Sequence, residues 1–192
     1  MNEMEITTYE ALIDAIDTLI EQYNASAVAI DGMSGAGMRE LAAVLSRRYG
    51  APVIHMEDFW LPLGDRPRDW EQMAGGEVDF ARFREEIAEP WLNRTPLVYS
   101  IISPANGELI ERRALPDAPL YIVEGTYSLH PVIPDFYDLR IFMKCTADTR
   151  LRVAEVSPRE AEREDAYFLM YMTEQLSDMV LDENFRIPPL EE

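Results

Sequence analysis

An apolar run that breaks into three glycines constrains the fold of this chain more than any other stretch. It spans residues 27–39 and reads Ala-Val-Ala-Ile-Asp-Gly-Met-Ser-Gly-Ala-Gly-Met-Arg. Its first residues are apolar without alternation, which predicts a central parallel strand buried between helices. Apolar residues recur at helical spacing after the glycines, so a helix is expected to follow the turn. A strand, a glycine-rich turn and a helix in this order are typical of a loop that binds phosphate.

The glycines have the spacing of such a loop, but two of its polar residues differ. The P-loop pattern is G-x-x-x-x-G-K-[ST], in which backbone N–H groups cradle phosphates, the lysine contacts them and the hydroxyl holds Mg²⁺. Met38 and Arg39 stand at the lysine and hydroxyl positions. Arginine can contact a phosphate through two N–H groups but cannot ligate a metal. The expected phosphate-binding residues are Gly32, Ser34, Gly35, Ala36, Gly37, Met38 and Arg39.

Composition excludes several classes of protein. The 192 residues, 47% of them hydrophobic and 28% charged, predict one globular domain over residues 1–192. A net charge of −19 argues against nucleic acid or an anionic membrane surface as a partner. No apolar run approaches a membrane span, and the acidic residues 1–5 are unlike a signal peptide. With one cysteine, Cys145, the expected location is cytoplasmic.

The remaining elements alternate between strands and helices. Further short apolar runs at residues 52–56, 120–125 and 139–144 predict buried strands. Helical periodicity predicts helices over residues 9–23, after Asp79, from Asp148, and from Pro158 through Val180. The sequence therefore predicts a three-layer α/β fold, with a mostly parallel sheet and helices on both faces.

Two segments are candidates for a substrate flap and a lid. Residues 97–102 and 109–114 flank turn residues at 103–107, which predicts a small antiparallel hairpin insertion over about 97–114, a candidate substrate flap. The helical region at about 148–165 is the candidate lid.

Carboxylates follow two of the predicted strands. Glu57 and Asp58 come after the second strand, and Glu124 ends the third. Active sites of open α/β sheets lie at the carboxyl ends of the strands. A carboxylate suits a general base and also suits Mg²⁺. Two alternatives remain open: Glu57 and Asp58 as solvated loop acids, and Glu124 as a cap for the following turn.

Five segments in order resemble the bacterial uridine kinase-like branch of the P-loop nucleoside kinases. They are residues 27–37, 55–62, 75–84, 107–109 and 122–131. The resemblance implies ATP and Mg²⁺ as cofactors and a nucleoside or another small hydroxyl compound as substrate. It makes Glu57 the match for the aspartate that accepts the substrate proton, with Asp58 as its acidic neighbour. It makes Glu124 the metal-orienting acid.

The chain also departs from that family in the flap and the lid. Relatives carry an arginine after the flap tyrosine, whereas Ser100 follows Tyr99 here. Relatives carry arginines in the lid, where this chain keeps some arginines but adds many acids. The lid arginines are Arg150, Arg152, Arg159 and Arg163, and the acids are Glu155, Glu160, Glu162, Glu164 and Asp165.

Two functional hypotheses follow from these residues. The first is an ATP-dependent phosphotransferase with Glu57, Asp58 and Arg39 as catalytic residues and Glu124 supporting Mg²⁺. The second is a catalytically inactive relative that binds a nucleotide, a small anion or a partner protein. Because phosphoryl transfer depends on positioned positive charge, the altered loop predicts weak or lost activity. A homodimer through the methionine-rich C-terminal segment is left open.

Overall fold

A computed structural model of the chain describes residues 8–153 and 156–185. Its main sheet has five parallel strands in the order β2-β5-β1-β6-β7. A separate antiparallel pair is formed by β3 and β4. The strands are β1 (Ser26–Gly32), β2 (Val53–His55), β3 (Val98–Ile102), β4 (Leu109–Ala114), β5 (Leu120–Glu124), β6 (Leu139–Lys144) and β7 (Met179–Asp182). The predicted fold class is confirmed.

The glycine-rich loop follows the central strand of the sheet. Every residue of β1 is buried, as an apolar run without alternation predicts. Strands β5 and β6 pair with β1 on either side, with Val28 opposite both Ile122 and Leu139. Because the five strands run parallel, their carboxyl ends share one edge of the sheet. That edge holds the loop, the residues after β2 and the residues after β5.

Helices cover both faces of the sheet. They are α1 (Thr8–Gln22), α2 (Met38–Tyr49), α3 (Phe80–Phe83), a π-helical segment (Arg84–Ala88), α4 (Glu89–Leu92), α5 (Ala147–Val153) and α6 (Pro158–Tyr171). Val28 and Ile30 of β1 pack in one apolar cluster with α1 and α2. Ala27 and Ala29 pack in the other, with the segment from α3 to α4 and with α6. Alternate side chains of β1 thus pack on opposite faces of the sheet.

Local sequence signals place several helix ends correctly. Gly50 is the left-handed C-cap of α2 and donates its N–H to Ser46. Asp79 caps α3 by accepting the Arg82 N–H at 3.0 Å. Ser157 and Glu160 form a capping box at the start of α6. Within the described residues, no helix has both the length and the apolar character needed to cross a bilayer.

The predicted helix from Pro158 through Val180 is wrong in its second half. Helix α6 ends at Tyr171, and Met172 turns the chain with φ of 52°. The following apolar residues form β7, which pairs in parallel with β6 and buries Leu181 in the core. A short apolar run fits a strand or a helix equally well by periodicity. Residues 179–182 form a strand because they pair with the backbone N–H and C=O groups at the free edge of β6.

The hairpin insertion is confirmed as a two-stranded antiparallel pair. Val98 lies opposite Ala114, and the turn is closed by the Ser103 N–H, which donates to Glu108 at 2.8 Å. Tyr99 of β3 is fully buried and stacks on Phe59, with ring centroids 5.4 Å apart. The hairpin is therefore anchored to the core by an aromatic contact at its base.

Gly32 is a position where only glycine fits. Its φ is 151°, and a Cβ there would lie 2.1 Å from the Met143 carbonyl oxygen of β6. We expect Gly32→Ala to lower the free energy of unfolding by about 3 kcal/mol or more, because neither backbone can move away. Gly64→Ala is the control, since a Cβ at Gly64 meets nothing within 4 Å. Urea unfolding of both variants measures this, and equal stabilities would contradict it.

Candidate functional site

A cleft of about 1190 Å³ opens at the carboxyl edge of the sheet. It is bounded by the loop between β1 and α2, by the residues after β2 and β5, and by α6. The sequence-predicted site residues that line it are Ser34, Gly35, Ala36, Gly37, Met38, Arg39, Glu57 and Glu124. The other two predicted residues, Gly32 at the end of β1 and Asp58 after β2, are not among the described residues that line the cleft.

The loop between β1 and α2 leaves several backbone N–H groups without an acceptor among the described residues. It is anchored to the neighbouring strand, since the Met33 N–H donates to the Met143 carbonyl at 2.9 Å. Among the described residues, no hydrogen bond uses the N–H groups of Gly35, Gly37 or Met38. These groups lie at the start of α2, where the helix dipole favours an anion. The backbone therefore fits a phosphate group.

The side chain at the lysine position of the loop is part of the core. Met38 is 9% exposed and packs in the apolar cluster with Leu41 and Leu45 of α2. An apolar side chain held in this way brings no charge to a bound phosphate. The loop therefore retains its backbone donors without the cation that normally accompanies them.

Arg39 contacts both Glu57, the expected general base, and Glu124, the expected metal-orienting acid. Its Nη2 lies 2.5 Å from Glu57 Oε1, and its Nε lies 3.9 Å from Glu124 Oε1. Glu124 is also hydrogen-bonded to His55 Nδ1. That hydrogen bond raises the pKa of His55. Two basic side chains, those of His55 and Arg39, thus lie against Glu124, whose side chain is only 6% exposed.

These residues do not fit Mg²⁺ as a P-loop kinase holds it. Position 39 supplies a guanidinium instead of a metal-ligating hydroxyl. That guanidinium already balances Glu57 and Glu124. Over the described ranges 8–153 and 156–185, no group of three or more acidic, histidine or cysteine side chains is arranged to hold a metal ion.

Asp58 and its neighbour Glu57 point to different partners. Asp58 accepts a hydrogen bond from the Tyr99 hydroxyl at 2.9 Å and lies 3.5 Å from Arg113 Nη1. Arg82 donates to the Asp58 carbonyl at 3.1 Å and also bonds the Ser100 carbonyl. Asp58 therefore ties the hairpin to the end of β2. Ser100 occupies the position at which relatives carry an arginine, but Arg82 of α3 and Arg113 of β4 both contact Asp58.

Asp31 is a buried acid that supports the elements of the cleft without lining it, and sequence reasoning missed it. Its carboxylate is fully buried and accepts the N–H groups of Gly32, Tyr127 and Leu129 at 2.7–3.1 Å. It also accepts the Tyr167 hydroxyl at 2.6 Å. Burial raises the pKa of Asp31 to about 6 despite these donors. An acid at the end of an apolar strand is the signal that identified Glu124, and it was present here too.

Arg150, Arg152 and Arg163 of the lid region are already paired with carboxylates. Arg163 lies 2.5 Å from Glu77, and Arg150 lies 2.5 Å from Glu164. Residues 154 and 155, which belong to this predicted lid, lie outside the described residues. The glutamates that line the cleft are Glu40, Glu57, Glu77, Glu124, Glu160, Glu164 and Glu183, against Arg39 and Arg163. The cleft is therefore strongly acidic.

Solved structures share this fold, although no family model and no curated protein matches the chain. A possible uridine kinase from Bacillus stearothermophilus superposes with a TM-score of 0.67 at 19% identity, over 90% of this chain and all of that one. The YGR205w protein superposes with a TM-score of 0.54 at 14% identity, over 96% and 98% of the two chains. At these identities the likeness shows the fold, which is that of P-loop kinases.

The buried Asp31 carboxyl predicts a pH-dependent stability. Below about pH 3 the carboxyl is protonated in both states. As the pH rises to above 6, the unfolded chain releases the proton first, so the contribution of Asp31 to the free energy of unfolding falls by about 3 kcal/mol. We expect the wild type to lose this amount relative to Asp31→Asn between about pH 3 and pH 7. Urea unfolding at four pH values measures it, and a constant difference would contradict it.

The contact between His55 and Glu124 predicts the titration of His55. We expect Glu124→Gln to lower the pKa of His55, because a neutral amide no longer favours the imidazolium. Proton NMR titration measures the two histidines of the chain separately. His130 is the internal control, since burial lowers its pKa to about 4 without a charged partner. An unchanged His55 titration would show that Glu124 does not set its charge.

Proposed function

We propose that this protein binds a small hydroxyl-bearing molecule, such as a nucleoside, in the cleft, and that its transfer of phosphate from ATP is weak or lost. The observation that carries the proposal is Arg39, which bridges Glu57 and Glu124. Glu57 and Glu124, the acids to which the family resemblance assigns a general-base and a metal-orienting role, both contact this guanidinium. The charge that would act on phosphate is bound to them.

The loss of activity follows from where the positive charges lie. Phosphoryl transfer relies almost wholly on cations positioned around the transferred group. Met38 supplies none, and a phosphate would have to compete with Glu57 for the guanidinium of Arg39. Removal of one such electrostatic contact lowers the rate of a typical enzyme by about 10²–10³-fold. Two altered positions therefore support a far larger loss.

Binding of a hydroxyl compound is supported by the acidic side of the cleft. Glu57 is half-exposed there and has a second carboxylate oxygen for a ligand hydroxyl. A cleft of about 1190 Å³ has room for a molecule of nucleoside size. The likeness to a possible uridine kinase adds support for that class of ligand.

A slow ATP-dependent phosphotransferase is the second candidate. It is favoured by the N–H groups of Gly35, Gly37 and Met38, which have no acceptor among the described residues and lie at the start of α2. In that case Arg39 would leave Glu57 and contact a phosphate. The two candidates differ in rate, which can be measured directly.

The assay compares the wild type with Met38→Lys/Arg39→Ser in the presence of ATP, MgCl₂ and a panel of nucleosides. We expect wild-type turnover at least about 10³-fold below the 1–100 s⁻¹ of ordinary kinases, and a gain of at least about 10-fold in the double variant. Met38→Lys/Arg47→Ser is the matched control, because Arg47 is exposed on the same helix and Arg39 stays in place.

Nucleoside binding is followed separately, as a rise in the melting temperature of the wild type. Wild-type turnover in the ordinary kinase range would overturn the proposal. So would the absence of a thermal shift with every nucleoside at millimolar concentration.

A further inference from the structure

The side-chain carboxylate of Glu164 contacts the glycine-rich loop between β1 and α2. Glu164 of α6 accepts the Ser34 N–H through Oε2 at 3.2 Å and the Ser34 hydroxyl through Oε1 at 2.5 Å. Both carboxylate oxygens thus take donors from the loop between β1 and α2. Glu164 is 6% exposed, so the contact is shielded from solvent.

A buried arginine balances the charge of Glu164. Arg150 of α5 lies 2.5 Å from Glu164 Oε2 through Nη2, and the same nitrogen donates to the Ala161 carbonyl at 3.1 Å. Its Nη1 lies 2.7 Å from Asp165. The Arg150 side chain is only 11% exposed. A cation from one helix and donors from the loop therefore hold Glu164 from two sides.

Contacts of two further side chains fix α6 beside the loop. Arg163, adjacent to Glu164, pairs with Glu77 at 2.5 Å and lies 3.3 Å from the Tyr127 hydroxyl. One turn later, Tyr167 donates to the buried Asp31 at 2.6 Å. These neighbours hold the backbone of α6 in place. The Glu164 carboxylate is thus presented to the loop by an anchored helix.

We infer that Glu164 is an internal competitor for anions at the loop and determines the charge of the ligand that the cleft accepts. A ligand phosphate at the loop must displace the carboxylate or lie beside a buried negative charge. A neutral hydroxyl group at Glu57 meets no such opposition. The inference rests on the proposed function, because it explains why the cleft would take a nucleoside in preference to its phosphorylated form.

Inorganic tripolyphosphate without Mg²⁺ is the probe, because it carries the anionic chemistry of a nucleotide without a base. Its affinity for the full chain is measured by isothermal titration calorimetry in the wild type and in Glu164→Gln. The amide keeps the shape of the side chain, and Arg150 keeps Asp165 as its partner. We expect Glu164→Gln to bind the probe about 10-fold more tightly or better, because a close like charge has been removed.

Glu162→Gln is the matched control. Glu162 is exposed on the same helix, and its substitution changes the net charge by the same amount. We expect it to leave the affinity within about twofold, because solvent screens exposed charges. An equal gain in both variants would overturn the inference by showing a general charge effect. An unchanged affinity in Glu164→Gln would overturn it too, as would the absence of binding in all three proteins at 10 mM probe, roughly the weak limit of specific association.

Circular dichroism and melting curves establish that each variant folds. If Glu164→Gln does not fold, Glu164→Asp decides, because its shorter side chain keeps the charge but cannot reach both Ser34 donors. An affinity gain of about threefold is then expected, and no gain overturns the inference. The proposed function fails on a different measurement, the wild-type rate of phosphoryl transfer, so the two failures are distinguishable.

Discussion

The buried carboxylate of Asp31 holds together the parts that form the cleft. It is the penultimate residue of β1 and receives donors from Gly32 of the same strand, from Tyr127 and Leu129 after β5, and from Tyr167 of α6. A buried carboxylate is costly unless donors surround it, so each of these elements is required to stay in position. The position of α6 over the loop, and with it that of Glu164, depends on this contact.

Charge compensation within the chain is the second organising feature. Arg39, Arg150 and Arg163 line or flank the cleft, and each is paired with a glutamate at 2.5 Å. In a P-loop kinase such cations act on the phosphates. This chain has the fold of P-loop kinases, but these three cations contact carboxylates of the same chain, so the fold alone does not establish an activity.

Much of the fold could be predicted, because its signals are local. The apolar run before Gly32 and the cap residues Gly50 and Asp79 act through their immediate neighbours in the chain. The end of α6 could not be predicted in this way. Residues 179–182 form a strand because β6 offers an open edge, and that edge exists only once the sheet has assembled. The local signal for Asp31 was present, but its hydrogen-bond donors could not be predicted, because they come from residues up to 136 positions away in the sequence.

For the site, the sequence by itself determined the residue types: the glycine spacing, the loss of lysine and hydroxyl at Met38 and Arg39, and the acids at Glu57 and Glu124. These follow from spacing within one segment or from strand ends that share an edge. Only the tertiary structure determined which groups the charged side chains contact. Whether Arg39 contacts a carboxylate, or Glu164 reaches the loop 130 residues away, depends on the packing of helices against the sheet. The residue type determines the charge of a side chain, but the packing of distant parts of the chain determines which group that charge contacts.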